Sequence, residues 1–187
     1  MTRGAGMAMI EAIESLIPAL RRYASAMLRD RDLADDLVQD CLERAISQWG
    51  TLRQKENTRQ WLFAIAHNLM VNRFRQQDRR GEHVDIADLA PATESALTVP
   101  APQEHRVQLG ELMTALDALP EEQRSVVLLV SVEDLSYAEA AKALGIPIGT
   151  VMSRLARGRE RLQRALDGEL RGASPAHGAG SHLRRMK

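Results

Sequence analysis

Twenty-four residues of this chain restrict its fold more than any other part: Ser-Tyr-Ala-Glu-Ala-Ala-Lys-Ala-Leu-Gly-Ile-Pro-Ile-Gly-Thr-Val-Met-Ser-Arg-Leu-Ala-Arg-Gly-Arg, from Ser136 to Arg159. Ser136 followed three positions later by Glu139 is a capping box, in which each side chain satisfies the other's free backbone N–H, so a helix starts here. Gly145-Ile146-Pro147 supplies a tight turn, and the small Ala140 and Ala141 let a second helix cross the first closely. The result is a helix-turn-helix. On a wheel of about 100° per residue, Val151, Leu155, Leu162 and Leu166 share one face of the second helix, while Ser153, Ala156, Arg157 and Arg164 lie opposite. That opposite face is free to enter a DNA major groove. Thr150, Met152, Ser153, Ala156 and Arg157 are the candidates to read bases, and Arg157 has the fork geometry for guanine. Arg154, Arg159 and Arg161 flank them as phosphate contacts, and Ser136 joins this set from the cap. The plainer reading, a basic amphipathic helix whose charges only solvate it, leaves the combination of cap, turn and wheel without a purpose.

Aromatic residues are only 3% of the chain, so its core must be built from Leu, Ala, Ile, Val and Met, which favours helices over strands. The expected fold is all-α. Its apolar segments are too short to span a bilayer, and the N-terminus lacks the pattern of a secretory signal, so a cytoplasmic location is expected. Cys41 is the only cysteine, which excludes an internal disulfide and a thiolate metal cluster. The formal net charge is zero. Nucleic-acid binding depends on local clustering of charge, however, and the clusters are present.

Helical periodicity organises residues 10–80 into three helices. The first runs from about Ile10 to Leu28, with Pro18 marking a break or a first turn. The second covers about Asp32 to Trp49, with Asp32 placed to cap it and Gly50 ending it. The third starts near Thr58 and passes Trp61 to reach about Arg79. Residues 81–104 contain Pro91, Pro100 and Pro102, several acids and no Lys or Arg, and read as a flexible acidic linker. A second helical domain covers 105–168, with a short apolar helix from Glu121 to Val132 ahead of the helix-turn-helix. The tail, 169–187, is read as disordered.

The third helix places Leu62, Phe63, Ala66, Leu69, Met70 and Phe74 on a core face, and Trp61, Asn68, Asn72, Arg75 and Arg79 on the other. Amides leading into guanidinium groups suit unpaired DNA, whose bases need donors and acceptors and whose backbone needs cations. Arg73 and Arg80 add charge. The second helix is expected to bury Ala34, Val38, Leu42, Ala45, Ile46 and Trp49 and to show Asp36, Gln39, Asp40, Glu43 and Ser47, with Leu33 and Leu37 at the margin. DNA would repel such a face, and a basic protein partner would complement it.

Together these elements resemble the extracytoplasmic-function sigma factors of the bacterial sigma-70 family, over roughly Leu16 to Arg80 and Leu109 to Leu166. Asp35-Asp-Leu-Val-Gln-Asp looks like the family's polymerase-binding motif, which implies that Asp35, Asp36, Leu37, Gln39, Asp40 and Glu43 dock on the clamp helices of core RNA polymerase. Trp61-Leu-Phe-Ala-Ile-Ala-His-Asn-Leu-Met-Val-Asn is similar to the family's -10 helix, which implies strand opening and base capture by Asn68 and Asn72, supported by Trp61, Arg73, Arg75, Arg79 and Arg80. The loop Gly50 to Asn57 sits where the family holds a flipped-out base. Ile148-Gly-Thr-Val-Met-Ser-Arg-Leu-Ala-Arg resembles the -35 recognition helix, although Met152 and Ala156 depart from the larger or charged residues common there. The resemblance further implies promoter DNA as duplex and melted strand, a controlling anti-sigma factor, no cofactor and no catalytic site.

Two other readings remain open on the residues. A helix-turn-helix regulator acting without polymerase explains 136–166 equally well but gives the acidic second helix and the amide face no role. A sigma mimic that titrates an anti-sigma factor has no use for Arg157 and its flanking charges. An enzyme is disfavoured, because His67, His83, His105, His177 and His182 have no metal-ligand spacing and no phosphate-binding glycine loop is present.

Overall fold

The computed structural model describes residues 3–52, 57–80 and 103–172. All of its regular elements are helices: α1 (Arg3–Glu14), α2 (Ile17–Leu28), α3 (Arg31–Gln48), α4 (Thr58–Arg80), α5 (Gln103–Asp117), α6 (Glu121–Val127), α7 (Tyr137–Leu144) and α8 (Ile148–Gly172), with a 3-10 turn at Trp49–Thr51 and a π-turn at Leu128–Val132. Of the expected linker 81–104, residues 103 and 104 belong to α5, and of the expected disordered tail 169–187, residues 169–172 belong to α8; residues 81–102 and 173–187 lie outside the described residues.

Local chemistry sets the helix ends. The helix expected from Ile10 to Leu28 is two helices, and Pro18 occupies the first turn of α2, where its missing N–H costs nothing. Arg29 closes α2 in the left-handed region, φ 60°, with its N–H bonded to Ser25 O. The cap of α3 is Asp30 rather than Asp32: the Asp30 carboxylate accepts from Leu33 N–H at 2.9 Å, and Asp32 sits in the first turn, where the helix dipole favours it. The expected capping box of α7 is formed, with Ser136 Oγ accepting from Glu139 N–H and Glu139 Oε2 accepting from Ser136 N–H at 2.8 Å. Gly145 ends α7 at φ 65°, a conformation that penalises any side chain with a Cβ.

Helices α2, α3 and α4 pack against one another as the N-terminal bundle. Leu20, Tyr23, Leu37, Cys41, Leu62, Phe63 and Met70 fill its centre, with the Tyr23 and Phe63 rings edge to face at 5.5 Å. The inward face of α3 is rotated from the expected one. Leu37 and Cys41 are fully buried, whereas Ile46 is 54% exposed, because α2 and α4 flank α3 along the 34-37-38-41-45 stripe.

The C-terminal bundle centres on Leu116, Val126, Leu129, Ala140, Val151 and Leu155. Here α6 and α8 approach so closely that a Cβ on Gly158 would lie 2.7 Å from a Val127 methyl. The apolar helix expected from Glu121 to Val132 is α6 followed by the π-turn, after which Asp134 takes a left-handed backbone, φ 51°. Helix α8 continues to Gly172, past the expected end near Leu166.

The two bundles also dock on each other, with α4 against α7 and α2 against α6 and the π-turn. Polar contacts stitch the seam. Glu133 receives Arg22 and Arg59, Arg124 reaches Met27 O at 3.3 Å, and Arg29 of the N-terminal bundle pairs with Asp117 of α5.

Candidate nucleic-acid interface

Burial divides α8 into the two expected faces. Val151, Leu155 and Gly158 face the bundle, and Met152, Ser153, Ala156, Arg157, Arg159 and Arg161 face outward. Arg157 and Arg161 make no hydrogen bond or ion pair among the described residues, so their guanidinium groups are available to a ligand. Other members of the expected set are engaged. Arg154 is half-buried and pairs with Glu122 at 2.7 Å, and Arg159 donates to Ser131 Oγ at 3.1 Å. Ser153 Oγ donates to Thr150 O at 3.1 Å, and Thr150 is half-buried. Ser136 is exposed, but its hydroxyl is committed to the capping box, and its hydrogen bonds hold the Glu139 carboxyl below its ordinary range.

A second surface lies between α3 and α4. Asn68 and Asn72 line an open cavity of about 260 Å³ together with Trp61, Ala64, Ile65, Leu69 and, from α3, Arg44 and Gln48. Trp61 is half-buried and meets Trp49 edge to face at 6.1 Å, which fixes one wall. The cavity therefore offers two amides, a third amide from Gln48, a guanidinium and an aromatic wall, the set that can bind a heterocyclic base by edge and face. Sequence reasoning found the α4 residues and missed Arg44 and Gln48. Their spacing of four along the end of α3 was a usable signal. Arg75 is exposed beside this surface, and the side chains of Arg79 and Arg80 and residues 53–56 of the expected base-holding loop lie outside the described residues. Arg73 turns the other way. It pairs with Asp40 at 2.6 Å and donates to Leu33 O at 3.2 Å, so in this arrangement it ties α4 to α3.

The acidic face of α3 is present with one subtraction. Asp35, Asp36, Gln39, Asp40 and Glu43 are exposed, but Leu37 is 0% exposed and belongs to the core, out of reach of any partner. Asp35 pairs with Arg21 at 3.1 Å, and Gln39 donates to Glu43 at 3.1 Å.

Two titratable groups beneath these surfaces are shifted by burial. The Cys41 thiol is pushed up to about 12 by burial and then by the nearby Asp40 charge, and it donates to Leu62 O at 3.6 Å, as befits an inert core residue. His67 is pushed down to about 4, first by burial and then by Arg154 of α8, and its Nδ1 lies 3.3 Å from the Tyr23 hydroxyl. Among the described residues no cluster of His, Cys, Asp and Glu could hold a metal ion, and no helix is long and apolar enough to cross a membrane.

Comparison with known proteins gives the following. Residues 109–162 match the family model for sigma-70, region 4, and residues 13–67 match that for the sigma2 domain of PhyR. The chain is 33% identical to the ECF RNA polymerase sigma factor EcfG of Rhodopseudomonas palustris (strain TIE-1), over 82% of each chain. It is 32% identical to the ECF RNA polymerase sigma factor SigC of Mycobacterium tuberculosis (strain CDC 1551 / Oshkosh), over 86% of this chain and 84% of that one. Among solved structures it resembles the sigma factor RpoE in complex with the anti-sigma factor NepR from Bartonella quintana, with a TM-score of 0.70, 32% identity, and coverage of 84% of this chain and 95% of that one.

Proposed function

Because the chain belongs to the ECF sigma factors of bacterial RNA polymerase, we propose that its two bundles divide promoter recognition as their surfaces dictate. The observation that carries this reading is the exposed Arg-bearing face of α8 and the amide-lined cavity of α4, in one chain with an exposed acidic face on α3. Residues 10–80 form the polymerase-binding and -10 domain, 81–104 the linker and 105–168 the -35 domain. Asp36 leads docking on core polymerase, with Asp35, Gln39, Asp40 and Glu43 around it. Arg157 reads a base edge in the -35 duplex, next to Met152, Ser153 and Ala156, while Arg161 holds phosphate. Asn68, Asn72, Gln48 and Arg44 receive an unpaired -10 base against Trp61. Capture of a separated base offsets part of the few kcal/mol that unstacking costs. Polymerase performs the chemistry and this chain contributes no catalytic group. Its working place is the cytoplasm, and its regulator is an anti-sigma factor, in keeping with the relative solved in such a complex.

The test is association of the purified protein with core RNA polymerase, followed by run-off transcription on a genomic promoter library. Transcripts that require this protein support the reading and yield its promoter sequence. Duplex binding without polymerase association would replace it with a free-standing regulator, and retention of an anti-sigma factor with no transcription would replace it with a titrating mimic.

A further inference from the structure

Glu133 is the one fully buried carboxylate among the described residues, and the groups that neutralise it come from the other bundle. Arg22 of α2 grips it with two parallel bonds, Nε to Oε1 at 3.2 Å and Nη2 to Oε2 at 2.9 Å. Arg59, at the start of α4, reaches the same carboxylate at 3.4 Å, donates to the Glu133 backbone carbonyl at 2.6 Å, and lies over the Phe63 ring. The C-terminal bundle presents this acid by an unusual route. The π-turn Leu128–Val132 offsets the chain and the left-handed Asp134 reverses it, with Glu133 N–H tied to Leu128 O at 3.0 Å. A carboxylate removed from water needs its partners, so it disfavours any half-open arrangement that dries it without pairing it. The docked and separated arrangements are therefore distinct states.

The docked state cannot span a promoter. Folded into one body, the described residues have a radius of gyration of about 15 Å, hence a diameter of about 40 Å. The -10 and -35 elements are centred about 25 base pairs apart, or about 85 Å at 3.4 Å per pair. Both reading surfaces, α8 and the α3–α4 cavity, are open to solvent in the docked body, so what docking denies them is spacing.

We infer that Glu133, held by Arg22 and Arg59, is an electrostatic latch that keeps the two bundles docked and opposes promoter engagement until it is released. The opposition to promoter engagement rests on the sigma-factor reading above, and the latch itself does not.

Dyes on Ser47→Cys of α3 and Gln163→Cys of α8, both exposed positions, report the separation of the bundles by energy transfer in the full chain. Buried Cys41, its thiol pushed up to about 12, does not compete for label. Glu133→Gln is expected to lower the transfer efficiency while helical circular dichroism is retained. Arg22→Gln lowers it less, because Arg59 remains, and the double variant opens no further than Glu133→Gln, since both remove one interaction. Unchanged transfer in Glu133→Gln, or a parent chain already as open as the variant, overturns the latch. Should Glu133→Gln lose helicity, Arg22→Gln decides, because Arg22 is half exposed on the surface of α2. With core polymerase and promoter DNA, the opened variants are expected to bind about tenfold more tightly, the gain for a parent that is docked about nine-tenths of the time. Opened variants with unchanged affinity overturn the regulatory role. Absence of polymerase binding in every variant, with the transfer changes intact, removes the sigma-factor reading and leaves the latch standing.

Discussion

At the scale of single residues, availability separates side chains that the sequence puts on one face. Arg157 and Arg161 are exposed and unpaired among the described residues, whereas Arg154 and Arg159 already have partners. Arg157→Ala is therefore expected to cost about 1–3 kcal/mol of -35 binding and to relax specificity at one base pair. Arg161→Ala should weaken binding to every sequence and flatten its salt dependence. Titrations of matched and mismatched duplexes at several salt concentrations separate the two, and equal losses on every sequence from both variants would remove Arg157 from base reading. On α3, exposed Asp36 is the better probe of polymerase docking than Asp40, which Arg73 occupies. Asp36→Lys should reduce affinity for core polymerase at least about tenfold without loss of helicity, an amount within reach of like-charge contact at an interface. Unaltered affinity would sink the docking face. The acids of α3 were legible in the sequence, but the fate of Leu37 was not. At the edge of a helical stripe, a rotation of one residue decides between core and surface, and only the placement of α2 and α4 fixes that rotation.

At the scale of elements, the sequence was most informative where a local interaction suffices. The capping box, the Gly145 turn and the apolar stripe of α8 need no knowledge of distant residues, and all three are found. The cap of α3 was misplaced by two residues because Asp30 and Asp32 satisfy the same composition rule, and only the hydrogen bond to Leu33 separates them. The π-turn has no signature that periodicity can detect. Gly158 shows how closely α8 is seated on α6. With a Val127 methyl only 2.7 Å from where its Cβ would lie, and that methyl on a buried, stiff side chain, no room exists for a larger residue. Gly158→Leu is expected to destabilise the C-terminal bundle by about 1–3 kcal/mol through overpacking, the better helix propensity of leucine recovering less than about 1. Chemical denaturation measures it. A variant as stable as the parent would mean that α6 and α8 are less tightly apposed.

At the scale of the whole molecule, the docking of the bundles had no counterpart in the sequence reading, which treated them as separate domains on a flexible linker. Its contacts join residues 111 positions apart in the case of Arg22 and Glu133, a distance at which no local pattern carries information. Glu133 was visible only as one of two adjacent acids in the largely apolar stretch from Leu128 to Leu135. The same packing gives the molecule a proton dependence. His67 of α4 sits beneath the seam, beside the Tyr23 hydroxyl of α2 and within the field of Arg154 of α8, and is held neutral down to about 4 against an ordinary value of 6.5. The unfolded chain binds a proton at this site through the interval in which the folded chain refuses it. Stability then rises with pH across that interval. This contribution is fully present above about 6.5 and is lost as pH falls towards about 4, where it levels off. The displacement sets an upper bound of about 3 kcal/mol on the loss. Urea denaturation at successive pH values should show the decline, and His67→Gln, which cannot charge, should flatten it between those limits. A parent chain as stable at pH 4.5 as at pH 7 would place His67 in water and contradict its burial beside Tyr23 of α2.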